Sequence, residues 1–392
     1  MEEKALLLFG YFGFGNLGDE ETLRIFTARL HARGIPYHVL SDDKESSVGK
    51  RTAGRHTRGE KRTDDTPLVL PFSRRKVLAL FQKIRACRCV VLVGGNLLQS
   101  ESSFSSLLFY TLLLRYATRA GKPLMMYGGG IGGFRGWLSC KTARKALDGF
   151  SCLGARTAGD LAALRAMFPE GKDLRFVPDL CFSLPEKQAK KENLLLLIPR
   201  KSSVGDPWLD ELILSAHAME WRVVIAAFHP KEDGAALSRL AARYGVGFFA
   251  PRSYEEFSRV CAAARFSVSE RFHGGVFSLL CHTPCFLHGA SDKCRRLCET
   301  VGAFAPDGGL LRPFRSYREV TERIRGVYTS EQAKKTGSWR SPGAEGVIKE
   351  GPATADKKET GDGISGFSHV ISLFRKTEEE RFEEWVQKLS EE

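Results

Sequence analysis

Long apolar runs are absent from this chain of 392 residues. No stretch approaches the roughly 20 apolar residues that a helix needs to span a bilayer. The first residues, Met1-Glu2-Glu3-Lys4, lead straight into a short apolar segment and lack the layout of a secretory signal. We therefore expect a cytoplasmic protein, and the length favours two domains of similar size.

A CxxC pair is also missing, although the chain has 10 cysteines. Most of them lie inside apolar segments, where cysteine behaves as a small hydrophobic residue. We therefore expect reduced thiols and no metal. The alternative is a zinc site, although CxxxC is not a usual zinc spacing. Its ligands would come from the two CxxxC spacings, Cys281/Cys285 and Cys294/Cys298, which have His282 and His288 nearby.

Acidic residues are too few to balance the basic ones, and the formal charge is +13. Over half of the excess lies between Ser41 and Val90, where 13 Lys and Arg stand against six acidic residues. Such a patch favours a polyanion or an anionic membrane surface. The alternative is a mobile, solvated loop over 41–67. No nucleic-acid-binding motif accompanies the charge, so we expect no nucleic acid partner.

Short apolar segments alternate with helix-like segments along most of the chain, which predicts parallel sheets covered on both faces. The segments 5–9, 89–93 and 123–127 each precede a glycine-rich loop, so these loops should share the carboxyl edge of one sheet. The predicted fold class is α/β, with two Rossmann-like domains facing across a cleft. The predicted parts are a first domain over 1–190, a second over 191–330, a disordered linker over 331–366 and a C-terminal helix over 367–392.

The segment Arg271-Phe272-His273-Gly274-Gly275 is the strongest functional signal. It follows a strand-like stretch, 266–269, and precedes a helix-like one, 276–281, and open α/β sheets bind ligands at such junctions. A guanidinium binds phosphate or carboxylate in a fork, an imidazole transfers protons, and glycine amides can approach an anion closely. We predict a site for an anionic substrate. The alternatives are an ion pair of Arg271 with Glu270 or Asp292, and a structural histidine.

A second glycine-rich loop follows the first apolar segment, and Gly13, Gly15 and Gly18 match GxGxxG. That pattern alone is weak evidence for dinucleotide binding. Asp42 and Asp43 stand near the distance at which an acid would contact the ribose, so an NAD site stays open as an alternative.

An ordered set of motifs carries a family resemblance from the first strand to about Val301. The motifs are Gly10-Tyr-Phe-Gly-Phe-Gly-Asn-Leu-Gly-Asp-Glu20, Gly94-Gly95 with Leu97-Leu98, Gly129-Gly130-Ile131-Gly132, Arg156, Pro178-Asp179, Arg200, Ser269-Glu-Arg-Phe-His-Gly274 and Asp292-Lys293. In this set the chain resembles the polysaccharide pyruvyl transferases, including the type that modifies bacterial cell-wall polymers for S-layer anchoring. It departs from the family pattern at Asn96, Ser100 and Gly133.

The resemblance implies a fold like that of two-domain, GT-B-type glycosyltransferases, with the reaction in the cleft. It also implies transfer of pyruvate from phosphoenolpyruvate onto two hydroxyls of a sugar, forming a cyclic ketal and releasing phosphate. The partners would be phosphoenolpyruvate, with no further cofactor, a glycan or lipid-linked glycan acceptor, and an anionic membrane face. The alternatives are a nucleotide-sugar glycosyltransferase and an inactive glycan-binding relative.

With the resemblance, the residues divide into three roles. We expect His273 and Arg271 to act on the anionic donor and Asp19 to act as a base toward the sugar, with a helix N-cap as the alternative for Asp19. Arg200, Gly274 and Gly275 would hold the donor. The remaining binding residues would be Gly15, Asn16, Gly18, Gly94, Gly95 and Asp179.

Overall fold

The computed structural model describes residues 5–41, 68–71, 77–100, 103–304, 311–335 and 362–391. Two parallel sheets, of seven and six strands, organise these residues into two α/β domains. A helix at the C-terminus completes the fold. This architecture confirms the predicted fold class. Among the described residues, no helix combines the length and the apolarity that crossing a membrane requires.

The first domain contains β1 (Leu6–Phe9), β2 (Tyr37–Ser41), β3 (Leu68–Pro71), β4 (Val90–Val93), β5 (Leu124–Gly129), β6 (Cys152–Ala155) and β7 (Asp173–Phe176). Its helices are α1 (Leu17–Ala32), α2 (Val77–Ala86), α3 (Phe104–Arg119), α4 (Gly136–Leu147) and α5 (Ala158–Met167). The strands lie in the order β3-β2-β1-β4-β5-β6-β7. Both faces of the sheet are covered, because Leu6 and Leu8 of β1 enter one buried core while Leu7 and Phe9 enter the other.

The second domain contains β8 (Glu192–Ile198), β9 (Arg222–Ala226), β10 (Gly247–Phe249), β11 (Ala264–Ser269), β12 (Cys285–His288) and β13 (Leu311–Phe314). Its helices are α6 (Pro207–Ala218), α7 (Ala235–Tyr244), α8 (Tyr254–Cys261), α9 (Phe272–Leu280), α10 (Asp292–Phe304) and α11 (Tyr317–Lys335), and α12 (Asp362–Glu391) ends the fold. The strand order is β10-β9-β8-β11-β12-β13.

The strand order reverses once in each sheet, between β1 and β4 in the first domain and between β8 and β11 in the second. Open parallel sheets bind ligands in the crevice beyond the carboxyl ends of the strands at such a switch point. The loops that follow these four strands contain Gly10–Asn16, Gly94-Gly95, Arg200 and Arg271. The topology therefore gathers most of the sequence motifs at two switch points.

Hydrogen bonds join the two domains beside these loops. The amide of Leu17 donates to the carbonyl of Phe228 at 2.9 Å. The amide of Tyr254 donates to Glu21 Oε1 at 2.9 Å. Farther along the cleft, the Arg296 guanidinium donates to Asp160 Oδ1 at 2.8 Å. The switch points consequently face each other across a narrow cleft.

Two predicted boundaries differ from the structure. Residues 331–335 continue α11, and α12 begins at Asp362, so both ends of the predicted linker are helical. The middle of that linker, 336–361, lies outside the described residues. Of the predicted basic loop over 41–67, Ser41 belongs to β2 and residues 42–67 lie outside the described residues.

Candidate functional site

His273 lies in the first turn of α9 and is buried in the cleft. Its Nε2 atom is 3.5 Å from Asp179 Oδ2, and the same oxygen is 3.7 Å from Arg156 Nη1. The Arg156 guanidinium also lies 4.0 Å from the centre of the Phe272 ring. Asp179 therefore holds an imidazole from the second domain and a guanidinium from the first.

The charge state of Asp179 follows from these neighbours. Burial alone would raise the pKa of this carboxyl, but His273, Arg156 and the Cys181 amide together lower it to about 2. The amide of Cys181 donates to Asp179 Oδ1 at 3.0 Å, which fixes the carboxylate after β7. Asp179 is thus ionised throughout the neutral range and can orient the imidazole.

Gly18 brings the first domain into direct contact with His273. A Cβ atom placed on Gly18 would lie 1.9 Å from both Cγ and Nδ1 of His273. Only glycine permits this approach, so Gly18 lets the first domain pack directly against the imidazole. Its predicted role in binding a ligand stays a prediction.

Asp19 lies beside Gly18 and is also buried. The Asn16 side-chain amide donates to Asp19 Oδ2. Asn16 is the N-cap residue of α1, so the N-cap alternative for Asp19 is wrong. Burial raises the pKa of Asp19, while His273, Lys293 and Arg156 lower it in part. Asp19 and Asp179 are therefore two neighbouring carboxyls whose pKa values are shifted in opposite directions, a pattern typical of acid and base roles.

Arg200 and Lys293 add positive charge to the same part of the cleft. Burial lowers the pKa of Lys293 to about 8, with Arg200 and Arg156 acting in the same direction and Asp19 opposing. Within the part of the chain that the structure describes, neither Arg200 nor Lys293 forms an ion pair. Two partly buried cations without an ion-pair partner, with Asp19 as the neighbouring carboxyl, form a site for an anion.

Arg271 forms an ion pair that the sequence analysis did not predict. Its guanidinium donates to Asp233 Oδ2 and lies 3.8 Å from Glu232 Oε2, and its side chain is 12% exposed. The predicted alternatives Glu270 and Asp292 are not its partners. Asp233 accepts from Nη2, while the buried Nε of Arg271 has no hydrogen-bond partner among the described residues. Arg271 thus holds the turn Pro230–Gly234 against the start of α9, and its predicted action on the donor stays a prediction.

Gly274 and Gly275 also require a correction. The helix α9 begins at Phe272, so the amides of both glycines donate to the Arg271 carbonyl, at 3.0 and 3.3 Å. Neither amide is left for a phosphate. Both glycines permit close packing instead, because a Cβ would lie 2.1 Å from Ser269 Oγ at Gly274 and 3.0 Å from the Leu287 side chain at Gly275.

Two amides of the glycine-rich loop after β1 are hydrogen-bonded to a side chain of the helix that follows it, α1. The amides of Gly13 and Gly15 both donate to Glu20 Oε1, at 2.7 and 3.3 Å, and both residues have positive φ angles. A dinucleotide pyrophosphate needs such amides free, so the loop geometry disfavours the NAD alternative. Asp42 and Asp43 lie outside the described residues.

The loop after β4 passes close to the Asp19 carboxyl. Gly94 and Gly95 have positive φ angles, and a Cβ at Gly95 would lie 3.8 Å from Asp19 Oδ1. Asn96 and Ser100, which depart from the family pattern, tie this loop to the next. Asn96 Nδ2 and Ser100 Oγ donate to the carbonyls of Gly132 and Gly133, both at 3.3 Å.

One group of possible metal ligands occurs among the described residues: Asp179, Cys181 and His273, whose ligand atoms lie within 4.8 Å of one another. Burial, with Asp179 next, raises the pKa of Cys181 well above its usual value, so its sulfur is a thiol. A metal needs the thiolate, and Arg156 already places a cation beside Asp179. The predicted zinc alternative at Cys281/Cys285 and Cys294/Cys298 forms no such group in the described residues.

Two site residues, Arg156 and Lys293, were recognised in the sequence only as family motif positions. Their roles depend on distant partners, since Asp179 follows β7 and Arg200 follows β8. No local sequence signal marks either contact.

Comparison with solved structures gives similar folds at low identity. The MnaA protein of S. aureus, solved with UDP, has a TM-score of 0.56 and 10% identity over 84% of this chain and 87% of its own. The UDP-GlcNAc 2-epimerase of Neisseria meningitidis has a TM-score of 0.55 and 11% identity over 84% and 92%. The UDP-GlcNAc 2-epimerase of Methanocaldococcus jannaschii has a TM-score of 0.54 and 12% identity over 83% of this chain and 92% of its own. At such identities the likeness shows the two-domain fold alone.

Among curated proteins, none matches this chain at a significant level. The family model for polysaccharide pyruvyl transferases does match, over residues 35–288. This range covers well over half of the chain and includes Asp179, Arg200 and His273. The chain therefore belongs to the polysaccharide pyruvyl transferase family, a family of transferases.

Proposed function

We propose that the protein transfers pyruvate from phosphoenolpyruvate to two hydroxyls of a sugar, as a ketal, and releases phosphate. The observation that carries the proposal is the pair of cations Arg200 and Lys293, which form no ion pair among the described residues and lie beside His273 and Asp19. A small donor with a phosphate and a carboxylate matches such a pair. Membership of the family supports the same chemistry.

The reaction divides into two additions at C2 of the enol ester. A sugar hydroxyl adds to C2, its proton is taken by Asp19, and C3 receives a proton from His273. The C2–O bond to phosphate then breaks, a second hydroxyl adds to C2, and its proton leaves with the phosphate. The proton held by Asp19 returns to His273, which restores both residues. Asp179 keeps the imidazole oriented through both steps, and Arg200 and Lys293 hold the departing anion.

The acceptor in this proposal is a cell-surface polysaccharide or its lipid-linked precursor, including polymers that anchor an S-layer. A lipid-linked acceptor would place the protein at the cytoplasmic face of a membrane. The excess of basic residues over 41–90 supports peripheral contact with an anionic surface, because such surfaces attract polybasic segments.

Phosphate release from phosphoenolpyruvate, measured with a panel of glycan and lipid-linked acceptors, tests the proposal. We expect release that depends on an acceptor and falls by at least about 100-fold in His273→Gln, since the proton donor is lost. The matched control is His217→Gln, an exposed histidine at the end of α6, which should keep full activity. Equal rates in the two variants would remove His273 from the mechanism.

A further inference from the structure

The cleft contains a second feature, an outer cavity of about 440 Å³. Both domains line it. The first domain contributes aromatic rings and the second contributes charged side chains and an imidazole. The lining residues are Tyr11, Phe14, Lys201, His229, Lys231 and Glu232.

The aromatic part of the cavity is a rigid pair. The rings of Tyr11 and Phe14 are stacked, with centroids 4.2 Å apart and planes inclined by 9°. Their loop is fixed from both domains, because Glu20 accepts from the amides of Gly13 and Gly15, and Lys231 Nζ donates to the Gly13 carbonyl at 3.3 Å. Half-buried aromatic faces of this kind suit the C–H face of a sugar ring, whose hydrogens are partly positive.

His229 contributes a hydrogen-bond donor. Its Nδ1 accepts from the amide of Glu232 at 3.2 Å, so the neutral ring carries its proton on Nε2. Burial lowers the pKa of His229, which favours the neutral ring. The Nε2 atom is buried and has no hydrogen-bond partner among the described residues. A buried donor without an acceptor points to a ligand oxygen.

The charges at the rim favour an anion. Lys201 and Lys231 are exposed lining residues. The one lining carboxylate, Glu232, lies 3.5 Å from Lys201 Nζ and 3.8 Å from Arg271 Nη2. Two lining lysines against one carboxylate leave the rim with a net positive charge. Arg271 also connects the cavity to the start of α9, and therefore to His273.

We propose that this outer cavity binds the acceptor as a glycosyl phosphate, with the sugar ring on Tyr11 and Phe14 and the phosphate at Lys201 and Lys231. The His229 Nε2–H donates to an oxygen of the same ligand. This inference rests on the proposed function, because it identifies the acceptor side of the same cleft. A nucleotide is the competing ligand, because aromatic rings also stack on a base and lysines also bind its phosphates, and titration with UDP distinguishes the two.

Isothermal titration of the full chain with hexose and N-acetylhexosamine 1-phosphates, the matching free sugars and UDP tests the site. We expect at least one glycosyl phosphate to bind, about tenfold or more tightly than its free sugar. Tyr11→Ala and Phe14→Ala should each weaken that binding about tenfold. The double variant Lys201→Ala/Lys231→Ala should bind the phosphate no better than the free sugar.

A matched control lies on α4, where Lys141 Nζ is 5.4 Å from the exposed Trp137 ring. Trp137→Ala and Lys141→Ala remove an aromatic residue and a lysine outside the cavity and should change nothing. The inference is overturned if no glycosyl phosphate binds, if the cavity and control variants behave alike, or if UDP binds more tightly and is lost in the same cavity variants. Circular dichroism confirms that each variant is folded.

A second measurement separates this inference from the proposed function: thermal shift reports phosphoenolpyruvate binding in the same variants. Binding of phosphoenolpyruvate that survives Tyr11→Ala and Phe14→Ala supports two neighbouring subsites. Failure of the wild-type protein to bind phosphoenolpyruvate contradicts the proposed function and leaves the glycosyl phosphate result to decide the outer cavity by itself.

Discussion

At the residue scale, Gly18 determines how closely the first domain approaches the imidazole. A methyl group there must displace the His273 ring, because the Cβ would lie 1.9 Å from two of its atoms. We expect Gly18→Ala to lower kcat/KM at least about 100-fold, since a displacement of about 1 Å in a catalytic group has that effect. Steady-state kinetics with phosphoenolpyruvate as donor measures the change.

The control for Gly18 is Gly326, in α11, where an added Cβ would meet no atom within 4 Å. Gly326→Ala should keep full activity and raise the free energy of unfolding by about 0.5–1 kcal/mol, because alanine is the better helix former. If Gly18→Ala is as active as Gly326→Ala, His273 does not need the position that it has in the cleft.

The pKa of Lys293 leads to a prediction of how kcat/KM depends on pH. Its pKa of about 8 means that the ammonium is charged below that pH and neutral above it. An ammonium that binds the donor anion is lost as the pH rises, so kcat/KM for phosphoenolpyruvate should fall above a pH of about 8, about tenfold per pH unit. Lys293→Arg keeps the charge and should abolish this fall. A fall that persists in Lys293→Arg would assign the titration to another group.

Individual site residues were predictable in part. The strand-to-helix junction and the family motifs identified His273 and Asp179 as site residues. The partner of Arg271 could not be predicted, because Asp233 lies on a separate turn and reaches the guanidinium only through the fold. The pKa of Lys293 likewise depends on Arg200 and Arg156, which precede it by many residues.

At the scale of elements, α12 acts as a clamp on the first domain. Its Glu378 is fully buried, 2.5 Å from Arg29 Nη1, and accepts from the Tyr127 hydroxyl at 2.7 Å. The rings of Phe382 and Trp385 pack against Phe26, with centroids 5.8 and 5.4 Å away. The C-terminal helix therefore completes the core of the first domain, which begins at the other end of the chain.

Truncation of Trp385 tests this role. Trp385 is 3% exposed, so Trp385→Ala should lower the free energy of unfolding by about 3–5 kcal/mol through the lost contacts and the cavity. The control Leu373→Ala changes a residue of the same helix that is 36% exposed and should cost less than about 1 kcal/mol. Denaturant unfolding measures both. Equal losses would mean that the ring contacts do not hold the helix.

The sequence predicted the strands that are buried on both faces and the edge strand β10, but not the edge strands β3, β7 and β13. All five residues of β8 from Leu194 to Ile198 are buried, and such continuous apolar strands are recognisable. The edge strand β13 contains Arg312 and Pro313, two exposed residues that a central strand would not tolerate. The start of α9 was also missed, because its two glycines resemble a loop until their packing is known.

At the scale of the whole molecule, the central claim is that two switch points face each other and place a proton donor, a base and an anion site together. The two-domain plan was predictable from alternating strands and helices, because that pattern permits few topologies. That the domains face each other across a cleft was also predicted, but the contacts that join them were not, since these are single contacts such as Leu17 with Phe228 and Gly18 with His273.

The most direct test of this claim follows the carbon atoms of the donor. The protein is incubated with phosphoenolpyruvate labelled with ¹³C at C2 and with an acceptor, and the product is studied by NMR. We predict that the label appears in the glycan as a ketal carbon bonded to two sugar oxygens, in a yield equal to the phosphate released. Label that remains in phosphoenolpyruvate, or that appears as free pyruvate while the glycan stays unlabelled, would contradict the account.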